Sequence, residues 1–311
     1  MIVGFIGLGT MGSKAARNVR RAGFDMVVYD IRPSAIEAQL QDGVKAGGSP
    51  ADVLTRCDVV VTMVFGPKEI AQVIRGPDGF LTVDCRAKIW IDMTTSSPSL
   101  MRVLAGEFEN KGGAAVDAPV TGSVDAAIRG DMPMFVGGTT EVVEKVRPVI
   151  EAMGQLRRVG AYGNGYIAKL VNNQLWKIHA AAIGEAMVTA KLAGLDPMVW
   201  WEVMKGGAAD SFVMQHDVPS IFAGHYDPSF PIALCLKDLS LIEELINETG
   251  TRSELTRATH ERFKEAGRRY GLDAGEMSVC RLIEEDAGID LRVAGEWTPP
   301  WELSIESAPK K

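Results

Sequence analysis

Gly7-Leu8-Gly9-Thr10-Met11-Gly12 sets three glycines at G-x-G-x-x-G spacing, directly after the apolar run Ile2 to Ile6 and ahead of a helical pattern carrying Ala15, Ala16 and Val19. That context gives each glycine a separate job. Gly7 permits a tight turn, Gly9 lets the backbone approach a pyrophosphate, and Gly12 allows the helix to pack closely on the strand while its N-terminus faces the anion. The next strand ends in Val27-Val28-Tyr29-Asp30, which puts a carboxylate 18 positions beyond Gly12. At about that distance an acid accepts from a ribose 2'-hydroxyl and repels a 2'-phosphate. Arg32 follows two residues later, where a guanidinium could pair with that phosphate instead. The position of the acid favours NAD, with NADP as the alternative.

Hydride transfer at a carbinol carbon needs a partner for the hydroxyl proton, and histidine is the usual first candidate. Here His179 falls in a long helical stretch, His216 and His225 in a loop-rich region, and His260 in a charged helix, so none stands beside a glycine loop. They read as structural or solvated. Lys169 is better placed, one turn into the long helix after Gly163-Asn164-Gly165, where its side chain is expected to point back into a cleft between domains. Asn173, at i+4, shares its face. A partly desolvated lysine beside a cationic nicotinamide has its proton loosened, and then serves as base in oxidation and acid in reduction. On the residues alone, a helix-surface lysine is more often a solvated charge.

The elements that would position these groups follow from periodicity. Short apolar runs alternate with helical patterns through the first half, the mark of a parallel sheet covered on both faces. Expected strands are Ile2 to Ile6, Met26 to Tyr29, Val59 to Val64, Ile89 to Met93, Ala114 to Asp117 and Met134 to Val136. After the glycine-rich stretch 160–165, a long helix carries Ile167, Leu170, Val171, Leu175, Ile178, Ala182 and Met187 and stops near Gly194. Asp196-Pro197 supplies an N-cap and first-turn proline for the next helix. Leu234 to Ile246, Glu254 to Glu265 and Ser278 to Asp286 also read as helices, with no convincing strand. The tail carries Trp297, Pro299, Pro300 and Trp301, and two tryptophans there argue for packing.

Composition narrows the function classes. At 311 residues, 46% hydrophobic and 23% charged, the chain has a globular make-up with room for two domains. A net charge of -7 lacks the basic excess that nucleic acid demands. Cys57, Cys85, Cys235 and Cys280 form no CxxC pair, so reduced thiols are expected and neither a metal site nor a disulfide framework. No stretch approaches the roughly 18–20 uninterrupted apolar residues of a membrane span. Because Met1 to Ile6 runs straight into the glycine turn, without the parts of a secretory signal, a cytoplasmic location is expected.

Five separated motifs together resemble the beta-hydroxyacid dehydrogenases, over Met1 to about Leu291. Besides the glycine loop, Asp92-Met93-Thr94-Thr95-Ser96-Ser97-Pro98 resembles that family's D-x-S-T-x-x-P strand end, and Asp117-Ala118-Pro119-Val120-Thr121-Gly122-Ser123 its D-A-P-V-S-G-G substrate loop. Residues 163–173, from Gly163 to Asn173, resemble its G-x-G-x-x-x-K-x-x-N-N helix, and Lys237-Asp238-Leu239 its K-D-L motif. The resemblance implies that Lys169 is the acid/base and that Asn173 helps hold the substrate. It also implies that Thr95 and Lys237 contact the nicotinamide side, that Val64 and Phe65 line the dinucleotide, and that Thr121, Gly122 and Ser123 present amides and hydroxyls to a substrate carboxylate. Three departures stand out. Thr121 replaces the usual serine and Ser123 the second glycine, which makes the carboxylate pocket smaller and more polar, and Phe65 replaces a common proline. Retention of Lys169 disfavours the imine-reducing branch.

The expectation is therefore an α/β fold with an N-terminal Rossmann domain, its sheet mainly parallel and doubly wound, and an all-α C-terminal domain joined by a long helix. The expected spans are 1–162 for the dinucleotide-binding domain, 163–292 for the substrate and oligomerisation domain, and 293–311 for a tail. The expected activity is reversible oxidation of a short 3-hydroxy acid, 3-hydroxyisobutyrate-like, to its semialdehyde by an NAD-dependent homodimer or homotetramer. Two alternatives stay open: oxidation of an internal hydroxyl to a beta-keto acid that decarboxylates, and a non-catalytic NAD-binding redox sensor. Trp176, Phe212, Phe230 and Asp238 are candidates for shaping the pocket.

Overall fold

The computed structural model describes residues 1–40, 43–295 and 297. They form two compact units, one running to Lys169 and the other starting at Leu170.

In the first unit the chain order is β1 (Ile2–Ile6), α1 (Gly12–Arg21), β2 (Asp25–Tyr29), α2 (Pro33–Glu37), β3 (Lys45–Ala46), α3 (Pro50–Arg56), β4 (Val59–Thr62) and α4 (Pro67–Arg75). It continues with β5 (Ile89–Asp92), α5 (Pro98–Asn110), β6 (Ala114–Asp117), α6 (Ser123–Arg129), β7 (Met132–Gly137), α7 (Thr140–Met153) and β8 (Gly154–Gly160). The eight strands lie in the order β3-β2-β1-β4-β5-β6-β7-β8. Every pairing is parallel except β6 with β7, so the mainly parallel Rossmann sheet is borne out. Strand order reverses between β1 and β4, and at such a switch point ligands meet the carboxyl ends of strands.

Alternation along the strands explains the two-sided core. Val59 and Val61 join Val3, Phe5, Ile91 and Val116 on one face, while Val60 joins Val27, Trp90 and Ala115 on the other. Each fully buried side chain of this kind contributes about 1.5–3 kcal/mol, so neither face can be left uncovered, and the helices pack on both.

The helix α8 (Asn164–Leu192) follows, its first residues belonging to the first unit and the remainder to the second. The second unit adds α9 (Pro197–Met204), a π-helical turn Val213–Asp217, α10 (Val218–Ala223), α11 (Ile232–Thr249), α12 (Glu254–Tyr270) and α13 (Ser278–Asp286). Asp196 caps α9 as its sequence indicates, its carboxylate accepting from the Met198 and Val199 amides. Among the described residues this unit holds no strand beyond an isolated bridge between Pro231 and Gly275. Trp297 packs edge-on against Trp201 and tilted on Phe222. Trp301, Pro299 and Pro300 lie outside the described residues. No described helix is long and apolar enough to cross a membrane.

Candidate active site

The glycine loop joins β1 to α1, and each glycine has a distinct geometric reason. Gly7 sits at φ +95°, and a Cβ there would lie 2.2 Å from the Met63 carbonyl oxygen; one on Gly12 would lie 2.1 Å from the Gly7 carbonyl oxygen. Both positions exclude larger residues on packing grounds alone. Gly9 differs, since a Cβ there would meet no protein atom within 4 Å. The fold does not demand glycine at this position, whereas a ligand lying against the backbone would. The amides of residues 9–12 donate to no acceptor among the described residues, which leaves an anion-receptive helix start. These residues fit the pyrophosphate of a dinucleotide.

Asp30, buried at the end of β2, accepts from the Leu8 amide at 2.7 Å through Oδ2, and through Oδ1 from the Arg32 amide at 2.9 Å and Nε at 3.1 Å. Burial alone would raise its pKa, but the Arg32 guanidinium and these amides outweigh that and hold the carboxyl below its ordinary range. Arg32 is thus drawn onto the acid that its sequence position sets it against.

Val64 and Phe65 follow β4, and Thr95 follows β5, so all three stand at the same carboxyl edge as the glycine loop. The Val64 amide donates to Thr94 Oγ1 at 3.2 Å, tying the two loops together. Phe65 is 52% exposed, unusual for a phenylalanine and in keeping with a ligand-lining position.

Where the chain leaving β6 enters α6, Gly122 (φ +102°), its cap, and Ser123 (φ +68°), its first residue, both take left-handed backbone. This accounts for the glycine that Ser123 replaces, because a side chain at such a φ costs about 1–2 kcal/mol. One detail of the expectation is corrected: the Thr121 amide is already spent on the Pro133 carbonyl at 3.0 Å. The amides of Gly122 and Ser123 meet no acceptor among the described residues, so the amide contribution of this loop narrows to those two.

Two buried aspartates that sequence reasoning quoted without assigning a role anchor the start of α8. Asp117 accepts from the amides of Gly163 at 3.1 Å, Gly165 at 2.6 Å and Tyr166 at 3.3 Å, capping the helix that carries Lys169. A Cβ on Gly165 would lie 2.5 Å from Asp117 Oδ2 and 2.3 Å from the Phe135 carbonyl oxygen, which explains the glycine by close approach. Asp92 accepts from Thr62 Oγ1 at 2.5 Å, Tyr166 Oη at 2.9 Å and the Thr94 amide at 3.2 Å. Burial lifts Asp92 to about 7 and Asp117 to about 6, against hydrogen bonds that pull each down.

A pH dependence follows. An acid whose pKa is raised on folding holds its proton longer in the native state, so its contribution to stability is full below its unfolded value of 3.8 and is lost as pH climbs towards 7. Asp92→Asn is expected to lack this slope, so its melting temperature gains on the parent as pH rises from 4 to 7. A gap between the two that does not change with pH would refute the assignment.

Lys169 is half-buried in the second turn of α8. In the second unit, Asn173 is buried and donates through Nδ2 to Asp238 Oδ2 at 2.6 Å, while its Oδ1 accepts from Asn172 Nδ2. That arrangement orients the amide and leaves one Nδ2 proton over. Lys237 Nζ lies 3.1 Å from Asp238 Oδ1. Lys177, which sequence reasoning passed over, is 1% exposed, and its Nζ lies 3.5 Å from Asp238 Oδ2. Its one sequence signal was the eight-residue step from Lys169, which returns it to the same side of the helix.

The histidines behave as expected. His179 is exposed, His260 is buried against Glu243 at 2.8 Å, His216 pairs with Asp217 at 2.7 Å under a stacked Phe212, and His225 Nδ1 accepts from the Asp227 amide. All four cysteines are free and buried.

Known proteins resemble this chain over most of its length. Residues 2–164 match the family model for the NAD binding domain of 6-phosphogluconate dehydrogenase, and residues 163–283 that for the NAD-binding domain of NADP-dependent 3-hydroxyisobutyrate dehydrogenase. L-threonate dehydrogenase of Cupriavidus necator is 31% identical over 263 residues, covering 84% of this chain and 89% of its own. Mitochondrial 3-hydroxyisobutyrate dehydrogenase of Mus musculus is 32% identical over 270 residues, covering 84% and 81%. The solved 3-hydroxyisobutyrate dehydrogenase of Mycobacterium tuberculosis with L-serine has the same fold, at a TM-score of 0.83 and 27% identity over 91% of this chain and 98% of its own. The chain belongs to the beta-hydroxyacid dehydrogenase family and is an NAD(P)-dependent hydroxyacid dehydrogenase.

Proposed function

We propose that the enzyme oxidises a short 3-hydroxy acid of the 3-hydroxyisobutyrate type to its semialdehyde, with NAD as cofactor and Lys169 as general acid/base. The observation that carries this reading is the placement of Lys169 and Asn173 on successive turns of one helix whose start is clamped by Asp117 and Asp92. A clamped first turn gives the ammonium a fixed origin, which proton transfer over a hydrogen-bond distance requires.

Bound NAD supplies the hydride acceptor. The substrate carboxylate rests on the Thr121 hydroxyl and the amides of Gly122 and Ser123, a cluster of small donors suited to an anion. The spare Nδ2 proton of Asn173 holds the reacting hydroxyl. As the C–H bond gives up its hydride, the O–H proton passes to the neutral amine of Lys169, and in the reverse direction the ammonium returns it. Gly7, Leu8, Gly9, Thr10, Met11 and Gly12 are assigned to the pyrophosphate, Asp30 to the ribose, Val64 and Phe65 to the dinucleotide, and Thr95 and Lys237 to the nicotinamide side. The likeness to L-threonate and 3-hydroxyisobutyrate dehydrogenases supports the substrate class.

The test is reduced-nicotinamide absorbance with NAD or NADP and a panel of short 3-hydroxy acids. Turnover is expected, and NAD should give the higher kcat/KM because Asp30 repels a 2'-phosphate. Asp30→Ala releases Arg32 and is expected to move selectivity towards NADP by about 10- to 100-fold, the worth of a charge-assisted hydrogen bond of about 1.5–3 kcal/mol. A parent that prefers NADP would overturn the role given to Asp30. Silence across the panel, with NAD still bound, would overturn the substrate class.

A further inference from the structure

Lys177 is a buried cation whose surroundings only partly satisfy it. At 1% exposure, its ammonium donates no hydrogen bond among the described residues. Its nearest anionic oxygen, Asp238 Oδ2, stands at 3.5 Å, an ion-pair rather than a hydrogen-bond separation. The same carboxylate already serves Asn173 at 2.6 Å and Lys237 at 3.1 Å. Nζ also lies 5.1 Å from the Trp176 ring and 5.6 Å from the Phe230 ring. The Trp176 indole is itself pinned, through Nε1, to Asp217 at 2.8 Å. Burying an ammonium costs several kcal/mol unless acceptors complete its shell, and here the acceptors run short.

Its location says what the missing acceptor belongs to. Lys177 lies four residues past Asn173 and eight past Lys169 on α8, and helix side chains lean towards the N-terminus, that is, back towards both. Asn173 Nδ2 and Lys177 Nζ converge on one atom, Asp238 Oδ2. An oxygen held by Asn173 therefore has Lys177 as its neighbour, and the next oxygen along the substrate can reach the ammonium.

Resting on the 3-hydroxy acid reading, we infer that Lys177 is a specificity-determining residue that binds an oxygen on the carbon beyond the reacting one. The preferred substrate is then a four-carbon acid with an internal 3-hydroxyl and a hydroxyl on, or a carboxylate at, its fourth carbon, and its product is a beta-keto acid in place of the semialdehyde. A rival role exists. Asp217, Asp227 and Glu276 gather their carboxylates within 4.8 Å of one another in the same unit, and a lysine could simply offset buried negative charge.

The experiment separates them by substrate. The parent and Lys177→Met are assayed with NAD on 3,4-dihydroxybutanoate, 3-hydroxybutanoate (the same chain without the fourth-carbon oxygen), 3-hydroxyaspartate for the carboxylate arm, and 3-hydroxyisobutyrate. The expected result is that Lys177→Met loses about 10- to 100-fold in kcat/KM, chiefly in KM, on the substrates bearing the extra oxygen, as removal of a charge-assisted hydrogen bond predicts. 3-Hydroxybutanoate and 3-hydroxyisobutyrate should change little. A uniform loss on all substrates would make Lys177 a charge-offsetting residue and overturn the inference. If Lys177→Met fails to fold, the parent decides alone: equal kcat/KM with and without the fourth-carbon oxygen overturns the inference, and a clear preference for it upholds it. A parent inactive on every 3-hydroxy acid would instead bring down the reading on which the inference rests.

Discussion

Lys169→Met is expected to lower kcat by about 100- to 10,000-fold, the range for losing a positioned general acid/base, while NAD affinity and melting temperature should stay near those of the parent. The separation of effects is the informative part. Lys169 is only half-buried, so its loss leaves no core cavity, and the anchor of its helix lies upstream in Asp117 and Asp92. Stopped-flow reduction of NAD in a single turnover, together with titrated NAD binding, measures both arms. Turnover kept within a few-fold of the parent would remove the lysine from the chemistry. Loss of NAD binding in proportion to activity would make it a cofactor residue.

The second large effect belongs to Asp117. Its carboxylate satisfies three amides at the first turn of α8, and Asp117→Ala strands all three in a buried place where each unmet donor costs about 1–3 kcal/mol. Allowing for water reaching some of them, a net loss of about 2–3 kcal/mol lowers the melting temperature of the first unit by roughly 5–10 °C. Activity should fall as well, mainly in kcat, because the turn carrying Lys169 loses its fixed start. Asp117→Asn keeps one accepting oxygen and should lie between the two. A thermal midpoint unchanged in Asp117→Ala, or a loss confined to KM, would show that the cap does not position the lysine.

The central strands were legible because they are covered on both faces and therefore continuously apolar. The two strands that periodicity missed lie at the sheet's edges. β3 is only Lys45–Ala46, and β8, Gly154–Gly160, presents Arg157 and Arg158 to solvent. Edge strands are kept short or charged against unwanted pairing, which erases the apolar signal used to find them. Helix ends were legible where a cap is local, as at Asp196. The cap of α8 was not, because Asp117 reaches it across 46 residues or more of sequence. The glycine loop, Asp30 and Lys169 were visible from local spacing combined with motif resemblance. What spacing could not carry was the traffic between side chains: the spent Thr121 amide, the Asp30–Arg32 pair, and the gathering of Asn173, Lys177 and Lys237 on Asp238. Each depends on where a distant atom lies, and no period in the chain records that.

The most direct measurement of the central claim follows the hydride itself. The enzyme is given NAD and a 3-hydroxy acid deuterated at its hydroxyl-bearing carbon, and the reduced cofactor is weighed by mass spectrometry. Reduced cofactor one deuterium heavier from the parent, with almost none formed by Lys169→Met in the same interval, is the predicted result. Unlabelled reduced cofactor, or labelled cofactor produced equally fast without the lysine, would contradict it.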